Sequence, residues 1–113
     1  MKIGDIYKLS IEKGIEADSR GRERVEKLLE RKRMKFEKLS EHEKKEFDQE
    51  SLQNPYSDTR VLYVADDREI KKALVGIDIE AAEILLAKEL DDIDLVISHH
   101  PSGRATVDMH EVM

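Results

Sequence analysis

The residues best equipped for chemistry close a short apolar run: Asp94-Leu95-Val96-Ile97-Ser98-His99-His100-Pro101. The aliphatic stretch predicts a buried β-strand, two adjacent imidazoles end it, and a proline stops it. Imidazole is the commonest side-chain ligand for divalent metals near neutral pH. The C-terminal end of a parallel strand is also where open α/β proteins place their chemistry. Side chains alternate along a strand, so His99 and His100 share one metal only if the backbone turns there; otherwise they serve two metals. Pro101 fits a turn at that point. A bare His-His pair is more often a surface accident, so the surrounding elements must raise it above that.

Those elements form a pattern. Leu74-Val75-Gly76-Ile77-Asp78-Ile79 predicts a strand. Ala81 to Leu90 predicts a helix with Ala82, Leu85, Leu86 and Leu90 as its apolar residues, ended by Asp91-Asp92. Strand, ten-residue helix and strand make a βαβ unit with parallel strands and a right-handed crossover. Asp78 then stands at the same sheet edge as His99 and His100, with neighbouring backbones about 5 Å apart. Gly76 inside a strand is expected to let the crossover helix pack closely. Just upstream, Val61-Leu62-Tyr63-Val64 predicts a further strand and Asp66-Asp67 a turn.

The N-terminal half has a different texture. Ile3, Tyr7, Ile11 and Ile15 recur every four residues with Ile6 alongside, one face of an amphipathic helix over 2–15. Residues 20–39 form a highly charged helix with a narrow stripe of Val25, Leu28, Leu29, Phe36 and Leu39. Glu23 and Lys27 make a favourable i,i+4 pair on it. Nine basic and four acidic residues between Arg20 and Lys38 leave a local excess of five positive charges. Ser40-Glu41-His42-Glu43 is a capping box opening a shorter helix to about Phe47. Asn54-Pro55-Tyr56-Ser57-Asp58 is turn chemistry. The division expected is an N-terminal helix with a charged helical arm over 1–58, the arm at 16–58 set apart, and a βαβ half-domain over 59–113.

Composition bounds the rest. The chain of 113 residues is 41% charged, 39% hydrophobic and only 4% aromatic, so its core must be aliphatic. A net charge of -6 argues against a protein that coats nucleic acid. The absence of cysteine excludes disulfides, thiolate metal sites and a cysteine nucleophile. No apolar run approaches the ~20 residues of a membrane span, and Met1 to Ser10 lack a signal-peptide pattern, so the expectation is cytoplasmic. Val107 to Met113 reads as a helix cut off after its second turn, with no capping residue, which suggests the N-terminal piece of something longer.

The run ending in His99-His100-Pro101, preceded by the strand ending near Asp78, resembles the Nif-three-like dinuclear metal centre family, also known as GTP cyclohydrolase I type 2 homologues. The likeness covers about residues 60–101. It implies an α/β fold, with a βαβ-containing sheet flanked by helices as the N-terminal portion of a larger fold. It also implies a toroidal hexamer and two divalent metals per subunit facing an internal cavity. His99 and His100 carry over as ligands. Asp78 matches a family position that is not a direct ligand, which leaves it to steady a ligand or to face substrate. The family's later Asp and its C-terminal His and Glu have no counterpart up to Met113; His110 and Glu111 do not fit their spacing. Ser102-Gly103-Arg104-Ala105 and the charged arm depart from the family pattern.

Three functions follow. A metal-dependent hydrolase would use two divalent ions to activate water against a nucleotide such as GTP. A metal-binding scaffold or protein-interaction factor would bind without turnover. The isolated chain, with two imidazoles alone, would bind metal weakly, since a stable site needs three or four protein ligands. Imidazole with carboxylate suits zinc, iron, manganese, nickel or cobalt alike. The basic helix is expected to be a solvated arm at an oligomer interface rather than a nucleic-acid surface: acids are interspersed and aromatics for base stacking are sparse. His42 is expected in solvent, His110 on a surface or interface, and Asp66 and Asp67 as turn residues rather than ligands.

Overall fold

The computed structural model describes residues 1–100. The expectations for Pro101, the segment 102–105, the helix at 107–113, His110 and Glu111 lie outside the described residues. The chain is mixed α/β: helices α1 (Ile3–Ala17), α2 (Arg22–Glu37) and α3 (Glu41–Glu46), a 3-10 turn (Gln49–Leu52), strand β1 (Ala73–Gly76), helix α4 (Ala81–Leu90) and strand β2 (Leu95–Ser98). No helix among the described residues is long and apolar enough to cross a membrane.

Helix starts and stops follow local chemistry. The Asp5 carboxylate accepts from Lys2 N (3.0 Å) at the start of α1. Gly21, at φ 86°, opens α2 from a backbone conformation that other residues rarely adopt. Ser40 Oγ accepts from Glu43 N while Glu43 accepts from Ser40 N, the reciprocal box expected from the sequence. Asp91 ends α4 in the left-handed region at φ 64°.

The buried core of the described residues lies in the helical half. Val25, Leu29 and Ile15 are buried, with Ile11 and Tyr56 packed against them. Residues 16–58 are therefore more than a solvated arm: α2 turns Val25 and Leu29 onto α1, and the chain after α3 returns to close the other side. Asn54, 2% exposed, completes that closure by hydrogen bonding. Its Nδ2 donates to Thr59 O (2.7 Å) and to Tyr7 Oη (3.1 Å), and its Oδ1 accepts from Tyr56 N (2.8 Å). Tyr7 in turn donates to Glu50. Arg60, with a side chain only 4% exposed, is held by Asp48 and Glu50. Burying a guanidinium is tolerable because both carboxylates and Ser57 O (3.0 Å) satisfy its donors.

Several strand expectations need correction. Val61 to Val64 forms no strand of the β1–β2 sheet, and Tyr63 is 81% exposed. β-prone residues favour a strand on a half-buried pleated surface, which this segment does not have around Tyr63. The chain bends at Ala65, ahead of Asp66 and Asp67, which pair with Arg68 and Lys2 instead of forming the turn. β1 ends at Gly76 rather than Ile79, because the backbone bends at Ile77 and Asp78. A Cβ at Gly76 would meet Ile79 Cδ1 at 2.9 Å, so this glycine makes room for that bend rather than for α4. Helix α4 exposes Ile84, Leu85, Leu86 and Leu90, and its least exposed positions are Glu83 and Ala87. Apolar residues surround this helix on most sides, so its sequence selects no single face.

Candidate metal-binding edge

β1 and β2 pair in parallel, with Ala73 opposite Leu95, Leu74 opposite Val96, Val75 opposite Ile97 and Gly76 opposite Ser98. α4 makes the crossover between them. The C-terminal ends of both strands thus share one edge, as the βαβ pattern requires. The backbone ladder continues past the strands: His99 N donates to Gly76 O and His100 N to Ile77 O, each at 2.8 Å. Main-chain bonds therefore place both histidines directly over the bend after β1.

That bend lifts Asp78 into reach. His100 Nδ1 lies 2.7 Å from Asp78 Oδ1. With the Nδ1 proton donated to the carboxylate, Nε2 keeps its lone pair, the state that a metal-ligating imidazole requires. The chain also bends at His99 and His100, and Ser98 Oγ donates to His100 O (2.7 Å) across that bend. The two rings come to 5.5 Å between centroids, tilted by 36°. Adjacent imidazoles that regular strand geometry would point apart are thus neighbours. The side chains of His100 and Asp78 are 58% and 67% exposed, so their pairing is weak on its own account.

The donor set fits a divalent metal in part. His99 and His100 offer two imidazoles, one of them oriented by a carboxylate. Among the described residues no three His, Cys, Asp or Glu side chains converge as a complete ligand group. His42 lies far along the chain on α3, exposed and 3.4 Å from Glu46. Asp66 and Asp67 are engaged by Arg68 and Lys2 and do not join this edge.

Sequence reasoning gave Asp94 no role, although it begins the key run. Its Oδ2 accepts from Lys71 N (2.9 Å) and Lys72 N (3.1 Å), and Asp94 N donates to Lys72 O (2.8 Å). The two backbone amides, with Arg68 nearby, hold its carboxyl below the usual carboxylate range. An acid immediately before an aliphatic strand was the available signal. Compared with protein-family models, with curated proteins and with solved structures, the chain matches none.

Proposed function

We propose that the chain is a divalent-metal-binding protein whose β2 terminus supplies His99 and His100 to a centre like that of the dinuclear-metal toroid family. One observation carries this reading: two imidazoles sit side by side at the C-terminal edge of a parallel strand pair, and a carboxylate orients one of them through Nδ1. A structural histidine seldom needs that arrangement, whereas metal-ligating histidines usually have such a partner on the far nitrogen. The remaining ligands, a larger Nif-three-like fold and a hexameric assembly belong to the same proposal.

When bound, two divalent ions would supply Lewis acidity and an activated water, which suits hydrolysis of a nucleotide such as GTP. In that reaction His99 and His100 hold metal rather than move protons. Asp78 would keep the His100 ring from rotating and fix which nitrogen faces the metal.

The alternative is a non-catalytic metal-binding scaffold or protein-interaction factor. It is favoured by the exposed apolar residues of α4, which suit contact with another surface.

Zinc titration by calorimetry, with elemental analysis of the loaded protein, tests metal binding. Binding lost in both His99→Ala and His100→Ala supports the reading. Binding unchanged in both variants defeats it. Nucleotide turnover by the loaded protein separates hydrolase from scaffold.

A further inference from the structure

The register of β1 against β2 decides where the histidines stand. A one-residue slip would move His100 away from Asp78 and reverse the faces of every β2 side chain. Yet the strands themselves select register weakly. Each has four residues, and a two-stranded pair of that length is marginal. Leu74, Val75, Leu95, Val96 and Ile97 are all aliphatic, so a slipped pairing would place equally apolar residues on either face. Val75, 65% exposed, and the exposed Ile97 lie opposite each other on one face, and Leu74 and Val96 on the other are only half-buried, so no fully buried face penalises the exchange.

Polar contacts at the other end of the sheet break this degeneracy. Asp94 accepts from two consecutive amides just before β1 and returns its own amide to Lys72 O. These three bonds form together in one alignment of the strands. Arg68, 3.6 Å away, adds a charge on the same carboxylate. The His100–Asp78 pair at the opposite end is too exposed to fix the alignment alone.

We infer that Asp94 is a register latch, a positioning residue that places His99 and His100 over Gly76, Ile77 and Asp78 without itself approaching a ligand. This inference rests on the metal-binding reading for its purpose, but not for its geometry.

Cross-linking reads register directly, and the cysteine-free chain gives no background. Leu74→Cys with Val96→Cys reports the observed alignment; Leu74→Cys with Ile97→Cys reports a one-residue slip. In the parent the first pair should oxidise and the second should not. Asp94→Ala should lower the first yield and raise the second. Asp94→Asn, which keeps an acceptor oxygen, should restore the parent pattern. Zinc affinity should fall in Asp94→Ala and recover in Asp94→Asn. Unchanged cross-linking in Asp94→Ala overturns the latch. A shifted cross-link in a protein whose zinc binding survives both His99→Ala and His100→Ala leaves the latch standing and defeats the metal reading.

Discussion

At the scale of single residues, the edge formed by Asp78, His99 and His100 depends on a carboxylate that touches only one imidazole. Replacing Asp78 by Asn leaves an acceptor but removes the charge that faces the His100 ring. Zinc affinity is expected to fall about tenfold or more, measured by calorimetry, with the helical content unchanged. Gly14 offers a test of a different kind. Alanine there would gain about 1 kcal/mol of helix propensity. Its Cβ, however, would stand 2.8 Å from Tyr56 Cε2, inside the ring's van der Waals surface. Moving that ring disturbs the bond from Tyr56 Oη to Asp18 (2.9 Å). Overpacking of this kind costs about 1–3 kcal/mol, so the steric term wins and Gly14→Ala should lower the urea midpoint.

At the scale of elements, α1 is fastened by two polar clusters that titrate at opposite ends of the pH range. Beyond its last turn, Asp18 accepts two bonds from the Arg20 guanidinium and one from Arg20 N, which hold its carboxyl well below the usual carboxylate range. Its stabilising contribution is complete above the unfolded value near 4 and disappears as pH falls through the lower folded value. Asp94 and Asp66 act in the same direction. Acid unfolding followed by circular dichroism should therefore begin below about pH 4, and Asp18→Asn should flatten it. Tyr7 behaves in reverse. Burial and the bond to Glu50 push its hydroxyl up to about 12. Its contribution is intact below the unfolded value near 10 and is lost on rising toward the folded one. Ultraviolet titration should show a tyrosine ionising near pH 12, and Tyr7→Phe should remove that step.

The βαβ element was legible in the sequence because strand and helix periods alternate cleanly between Leu74 and Ile97. That pattern alone brings Asp78 and the histidines to one edge. The contact between Asp78 and His100 was not legible, because it depends on bends at Ile77–Asp78 and His99–His100 and on strand register. Val61 to Val64 misled for the converse reason: its residue types favour a strand, but strand formation depends on the surface a segment packs against, and Tyr63 stays 81% exposed. In the helical half, the four-residue repeat pointed to Ile15, and the sparse apolar stripe to Val25 and Leu29, as core residues. The polar closure by Asn54 and Arg60 escaped, since it depends on irregular turns that fold Thr59, Tyr56, Asp48 and Glu50 back onto these side chains and on Tyr7 from α1, which no periodicity reveals.

At the scale of the whole molecule, stability is unevenly distributed. The helical half contains the buried core and its hydrogen-bonded closure. The βαβ half has no residue in that core, and most large apolar side chains of α4 are exposed. A parallel sheet is ordinarily covered on both faces, so this half opens more readily. Native-state hydrogen exchange should find slow amides in α1 and α2 and faster ones in β1 and β2. Leu29→Ala, removing a core side chain, should cost about 2–4 kcal/mol and speed exchange throughout the helical half. Slower exchange in the strands than in α2 would contradict this gradient.

The Tyr7–Glu50–Asn54 cluster also sets a timetable for a chain made from its N-terminus. Its bonds join residues 43 and 47 positions apart, so α1 waits for Asn54 before it can be fastened. Once residues to Arg60 have left the ribosome, every partner of that closure is present. His99 and His100 emerge some 40 residues later, after every partner of that closure is present.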